Sequence, residues 1–295
     1  MDLVPNAFVE ATIDLLYNKS IFHTIKLKGK FALFGLQAYN NRFIWRIYLH
    51  TEDFSESFEY FSNSSPVPEC SRNLKNIKAI EVSTDGEGWV VSRAIDLQIR
   101  SIQHQLEYFA LQLLNGLSRD ELATITRWTP SVMIISSFTV ELMKTVDSFT
   151  GHRSLRYIYI VNTTVVEPLE RFKDLLLQKQ FIKLTFGDCF FNSFGTIFKL
   201  WRENKEVLKG KEIYFRNCIV SKAAKPLLDE IFHKAAWKGV DRTLKYQTGA
   251  RAITFTVNGS DEVDDDQWLM RVKGSDEVDE EDQWFKKGDI RLSFS

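Results

Sequence analysis

The chain lacks the short motifs through which most enzymes declare their chemistry. No Gly-rich phosphate loop, GxSxG elbow, HExxH pair or dinucleotide fingerprint occurs in its 295 residues. The five histidines, His23, His50, His104, His152 and His233, have no Cys, Asp or His partner at metal-ligand spacing. Cys70, Cys189 and Cys218 form no CxxC pair, and three thiols cannot all join in disulfides, which excludes a disulfide-built scaffold. No metal or cofactor is therefore expected. The one enzymatic reading left is a cysteine-dependent hydrolase, with Cys189 or Cys218 as nucleophile and His152 or His233 as base. Buried thiols serving as small apolar residues explain the same cysteines more simply. An uncharged run of roughly 18 residues is missing too, as is a basic start followed by an apolar stretch. Neither a membrane span nor a signal peptide is expected, which implies an intracellular protein, cytoplasmic or nuclear.

What the chain does have is core material and a recurring phrase. Hydrophobic residues make up 44% and phenylalanine alone contributes 23 copies, enough for a large core with bulky packing. In the second half one pattern recurs: Leu155, Ile158, Ile160, Thr163, Val165; then Phe181, Leu184, Phe186, Cys189, Phe191; then Ile213, Phe215, Cys218, Val220. Weaker copies stand at Val132, Ile134, Ser137 and at Ile253, Phe255, Asn258, and Ile77, Ile80 and Val82 fit a degenerate first one. The polar or cysteine slot falls at Ser137, Thr163, Cys189, Cys218 and Asn258, in steps of 26, 26, 29 and 40. Alternating apolar residues send one strand face into a core, and the small polar residue can bond the turning backbone.

After each strong copy a helix is expected. Pro168 precedes Leu169, Phe172, Leu175 and Leu176; Ser193 precedes Phe194, Ile197, Phe198 and Trp201; Ser221 precedes Leu227, Leu228, Ile231 and Phe232. The expected fold class is α/β, built from irregular leucine-rich-repeat-like strand-helix units. A small, mainly helical amino-terminal segment precedes them and an acidic hairpin closes the chain.

Three regions are predicted: residues 1–60, a repeat-like domain over 72–258, and an acidic, duplicated segment over 259–295. The serine- and proline-bearing stretch Phe61–Ser71 serves as the linker. In the first region Phe8, Val9, Ile13 and Leu16 follow Pro5 at helical spacing. Aromatic and β-branched residues at Phe43, Ile44, Trp45, Ile47 and Tyr48 favour a strand. Ile95, Ile99, Ile102, Leu106, Phe109 and Leu113 predict one helix from Ile95 to Asn115, and Ser118 with Glu121 predicts a capping box. In the last region Gly259–Asp264 recurs as Gly274–Asp279, without the DxDxDG order of a calcium loop.

Charge is unevenly spread. Of 38 basic and 39 acidic residues, 5 and 12 lie beyond Asn258, which leaves 33 and 27, a net of plus six, on the rest. The short Lys26, Lys28, Lys30 run is no dense basic stripe, so nucleic acid is not an expected partner. An acidic tail that binds cations or basic proteins is a further possibility left by this asymmetry.

The opening Met1-Asp2-Leu3-Val4-Pro5 with Phe8 and Val9, joined by Asn41-Arg42-Phe43 and the aromatic strand Phe58–Phe61, resembles a group of nematode proteins. These begin MDxVPxxF and carry F-box-like amino termini with F-box-associated or repeat-like regions. The resemblance implies Val4 and Pro5 at the box's Leu-Pro position, Phe8, Ile13 and Leu16 on its first helix, and Trp45 near its tryptophan. It further implies that Val4, Pro5, Phe8, Ile13 and Leu16 bind a Skp-type adaptor of a cullin ubiquitin ligase while the repeat surface holds a target protein. Such a receptor works by positioning and needs no catalytic residue. A scaffold without any ligase link is the alternative.

Overall fold

A computed structural model describes residues 4–14, 16, 18–50, 54–69, 72–84, 91–113, 118–138, 145–149, 151, 153–163, 168–187, 190–191, 194–220, 241–248, 250–259 and 288–295. The chain is α/β and divides into two compact units, residues 1–112 with 118–130, and 113–117 with 131–295.

Unit 1 opens with three helices, α1 (Asn6–Asp14), α2 (Asn18–Thr24) and α3 (Lys30–Asn41). Strands β1 (Phe43–Leu49), β2 (Phe54–Tyr60) and β3 (Ile77–Thr84) follow, then α4 (Arg93–Ile102), β4 (Tyr108–Leu113) and α5 (Arg119–Ile125). The sheet order here is β4-β3-β1-β2, with β1 antiparallel to β2 and parallel to β3. The strand expected around Trp45 forms: Phe43, Trp45, Ile47 and Leu49 alternate into the core as the period of two requires. Trp45 lies in this strand and stacks on Phe58 at 5.6 Å, its indole N–H donating to Glu56 at 3.0 Å.

Two expectations for this unit are corrected. The helix predicted from Ile95 to Asn115 stops at Ile102, and Phe109, Leu111 and Leu113 belong to β4. Phe109 and Leu113 are four apart, a spacing that serves a helix or a strand equally, and Leu111 between them is also buried, which only the period of two explains. The strand's approach to β3 begins at Glu107, whose N–H donates to the Lys78 carbonyl at 2.8 Å. The stretch Phe61–Ser71 is no boundary between compact units. Pro66 bridges Glu59 on the edge strand, Val67 is buried and donates to the Phe58 carbonyl, and Arg72 beyond it caps the Phe58 ring. Proline suits such an edge, since it has no N–H to offer a further strand. The capping box at Ser118 and Glu121 forms with both of its bonds, and beyond α5 the Trp128 indole donates to buried Asp96 at 3.0 Å.

Unit 2 runs β5 (Val132–Phe138), a helical turn over 145–149 (α6), β6 (Tyr157–Thr163), α7 (Lys173–Leu176), β7 (Lys183–Phe186), β8 (Phe190–Phe191), α8 (Phe194–Glu203), α9 (Lys205–Leu208) and β9 (Glu212–Val220). Strands β10 (Asp241–Thr248), β11 (Arg251–Gly259) and β12 (Gly288–Phe294) complete it. Strands β5, β6, β7 and β9 pair in parallel in chain order, each link except the turn to β8 carrying helix. The recurring phrase is thereby brought into register. Ile158 pairs with Leu184 and Leu184 with Ile213, Ile160 with Phe186 and Phe186 with Phe215, and all six are buried. The helical stripe Leu169, Phe172, Leu175, Leu176 is buried as expected, as are Ile197 and Trp201 of α8.

The outer copies of the phrase need revision. Met133 and Ile135, not Val132 and Ile134, pair with Ile158 and Ile160, so the first step is 25 residues and Phe138 rather than Ser137 aligns with Thr163. A one-residue shift exchanges the faces of a strand, and here the fully buried Met133 and Ile135, against a half-buried Ile134, decide it. Ile253, Phe255 and Asn258 lie on β11, which is antiparallel to both β10 and β12, so this copy is part of a meander and no repeat unit. Cys70, Cys189, His152, His233, the helix expected after Ser221 and the duplicated acidic stretch over 260–287 lie outside the described residues. Cys218 pairs through its backbone with Gly288.

Lys211, just before β9, is 4% exposed and no acidic side chain pairs with it among the described residues. Its ammonium donates instead to the carbonyls of Leu176 at 2.7 Å and Gln178 at 2.5 Å, closing the end of α7. Burial pushes its pKa down to about 8 from 10.5. The folded chain therefore holds fewer protons than the unfolded chain between those two values, and stability contributed at this site rises with pH across that window. Urea unfolding of wild type and Lys211→Met should show the difference moving in favour of wild type by about 2 kcal/mol between pH 8 and 10.5. A difference that is flat or moves the other way contradicts this.

Candidate functional site

The amino-terminal helices share one small core. Val9 and Ile13 from α1 meet Ile21 from α2, and the half-buried Val4, Leu16, Phe31, Phe34, Ala38 and Tyr39 pack around them. Phe31, Phe34 and Ala38 repeat at the three-and-four spacing of a single α3 face. Glycine permits the close approach of α2 to α3. A Cβ at buried Gly35 would stand 2.3 Å from the Thr24 hydroxyl, which itself donates to the Ile21 carbonyl. Gly29 starts α3 at φ 73, ψ −148, a conformation open to glycine and strained for other residues.

Arg42 fastens this layer to the sheet. Its guanidinium is buried, donates from Nη1 to the Leu16 carbonyl and to Glu107 Oε1, each at 2.6 Å, and from Nη2 to the Ile13 carbonyl at 3.0 Å. The carbonyls at a helix C-terminus lack partners within the helix, and Arg42 supplies those of α1 while Glu107 neutralises it. A cavity of about 190 Å³ opens beside it, lined by Glu10, Ile13, Gln37, Asn41 and Lys78.

The five residues expected to bind an adaptor are divided by this arrangement. Phe8 is 60% exposed and Pro5 is exposed, its carbonyl accepting from the Phe8 and Val9 amides. Ile13 is buried in the small core, and Val4 and Leu16 are half-buried against it. Phe8 and Pro5 therefore face solvent, while Ile13 packs the helices together. The sequence reading missed other apolar side chains on α2, α3 and the turn that joins them. Phe22, Leu27, Leu33 and Leu36 are 49%, 48%, 65% and 45% exposed. With Phe8 they make five of the twelve large exposed hydrophobics among the described residues, all within fewer than thirty positions of sequence. Leu33 and Leu36 are three apart on α3, off the Phe31–Phe34–Ala38 stripe, and that surplus of apolar residues was the signal available. The Lys26 ammonium lies 5.0 Å from the Phe22 ring centroid and Lys30 donates to the Val4 carbonyl, so the lysine run borders this surface.

Among the described residues no group of three or more His, Cys, Asp or Glu is placed to hold a metal ion, and no helix is long and apolar enough to cross a membrane. Gly35→Ala is expected to destabilise unit 1 by about 1–2 kcal/mol, because the added methyl meets Thr24 and outweighs the better helix propensity of alanine. Gly35→Ala with Thr24→Ala should recover most of the loss. Thermal unfolding checks both, and an undiminished midpoint in the single variant contradicts the packing.

Compared with protein-family models, with curated proteins and with solved structures, the chain matches none.

Proposed function

We propose that this chain is a non-catalytic interaction protein, a substrate receptor whose amino-terminal helices dock a Skp-type adaptor of a cullin ubiquitin ligase. The observation that carries the reading is the set Phe8, Phe22, Leu27, Leu33 and Leu36, exposed on three helices and the turn between α2 and α3, whose shared core is already filled. Apolar surface of this kind costs free energy in water and is kept where a partner covers it. The resemblance of Val4, Pro5, Phe8 and Val9 to F-box-like starts supports an adaptor as that partner.

The target would be held by the second unit, which we read as leucine-rich-repeat-like. Parallel strands in chain order, helix between them and a register-matched ladder of apolar residues support this, as does the near-constant spacing of 25, 26 and 29 residues from Met133 to Ile158, Leu184 and Ile213. Such a receptor raises the concentration of its target near the ligase, and it acts inside the cell.

Co-purification of the full chain with a Skp-type adaptor tests the reading. Wild type should retain the adaptor, and Phe8→Ala with Leu33→Ala should weaken binding at least about tenfold, since each large apolar side chain contributes about 1.5–3 kcal/mol when covered. Both residues are exposed, so the thermal midpoint should stay within a few degrees of wild type. No retention by wild type, or equal retention by the double variant, overturns the proposal.

A further inference from the structure

The sheet of unit 2 has a second face. Ile158, Ile160, Leu184, Phe186, Ile213 and Phe215 point into the core, so the residues between them point the other way. Register sets these in two rungs across β6, β7, β9 and β12: Tyr157, Lys183, Glu212, Ser293, and Tyr159, Thr185, Tyr214, Arg291. Four strands at about 4.8 Å spacing make a platform about 15 Å wide. Tyr159 is 37% and Val161 45% exposed, and the Arg291 side chain is 53% exposed.

The electrostatics of the platform are lopsided. Glu212 is gripped from both sides, by Lys183 at 3.3 Å and by Arg291, whose Nε donates at 2.8 Å and whose Nη2 makes a second bond to the same oxygen. Burial opposes the charge on Glu212, but the Arg291 and Lys183 bonds outweigh it and hold the carboxyl below its ordinary range. Two cations thus share one anion. Arg291 spends two of its five N–H donors on Glu212 and Lys183 one of its three, which leaves donors for a further acceptor. The Lys183 ammonium also lies 5.1 Å from the Tyr214 ring centroid. Between the two tyrosines of the second rung, Thr185 is 8% exposed and its hydroxyl has no hydrogen-bond partner.

We infer that this face, through Lys183, Arg291, Tyr157, Tyr159 and Tyr214, binds an extended acidic segment of a target protein. The inference deepens the receptor reading and rests on it for the identity of the occupant. The segment's carboxylates fill the spare donors of Lys183 and Arg291, and its apolar or aromatic residues lie on the tyrosine rings. A peptide fits better than a nucleic acid. Glu212 stands at the centre of the platform, where a phosphate backbone would meet it, and the net charge of the cluster is only plus one.

Fluorescence anisotropy with the full chain and a fluorescein-labelled octapeptide of alternating Glu and Tyr tests this, with the alternating Lys and Tyr octapeptide and oligouridylate as competitors. The acidic peptide should bind about tenfold or more tightly than the other two, and more weakly as salt rises. Lys183→Gln with Arg291→Gln should weaken it about tenfold, and so should Tyr159→Ser, which leaves the Glu212 ion pairs intact. Adaptor co-purification should be the same for all of these variants. Absence of binding at about 1 mM, equal binding of the lysine peptide, preference for oligouridylate, or indifference to all the substitutions overturns the inference. Peptide binding that persists in a chain unable to retain the adaptor removes the ligase role and leaves the acidic-peptide face standing.

Discussion

The guanidinium of Arg42 is the constraint on which unit 1 depends. It stands one residue before β1, so its backbone is fixed by the sheet, while its side chain reaches back to the carbonyls that end α1. Glu107, just before β4, balances its charge. A buried ion pair is costly to assemble and costlier to break, because either partner left alone is an uncompensated charge, a penalty of about 3–5 kcal/mol. The Leu16 carbonyl would lose the Arg42 donor at the same time, while the Ile13 carbonyl would keep only its bond from the Leu16 N–H. The three helices have only a small core of their own, and Arg42 is what fixes them on the sheet with Phe8, Leu33 and Leu36 turned to solvent.

Unit 2 uses the same device with a different cation. Lys211 stands one residue before β9 and closes the carbonyls that end α7, as Arg42 closes those that end α1. The difference is the absence of an acidic partner at Lys211 among the described residues, which is why burial lowers its pKa. In each unit a long cationic side chain at the mouth of a strand locks a helix end in place, and the polar groups that look most chemical in the core are structural. Apart from these contacts, unit 1 exposes apolar side chains of its helical layer and unit 2 exposes Tyr159 and Arg291 on its sheet face.

Much of this was legible in the sequence because period and burial agree. The alternation Phe43, Trp45, Ile47, Leu49 and the phrase around Ile158, Leu184 and Ile213 specify strands whatever else the chain does. The capping box at Ser118 is equally local. Where two periods fit the same residues the reading failed, as with Phe109 and Leu113, or slipped by one, as with Met133 against Val132. Tertiary roles were harder. Arg42 looks like any surface arginine, since nothing local says that the carbonyls of Ile13 and Leu16 lie within its reach. Of the expected docking residues Phe8 faces solvent and Ile13 does not, a distinction that depends on where Ile21 packs. Leu33 and Leu36 were visible as apolar residues beyond the number one helix face can bury.

Hydrogen exchange on Arg42→Met measures the central claim most directly. The variant keeps the bulk of the side chain and removes the donors to Ile13, Leu16 and Glu107. The amides of α1 and α3 should lose protection by about tenfold or more relative to wild type, while those of β5, β6, β7 and β9 keep theirs. Unchanged protection in α1 and α3 would show that the helices are held on the sheet by something other than Arg42.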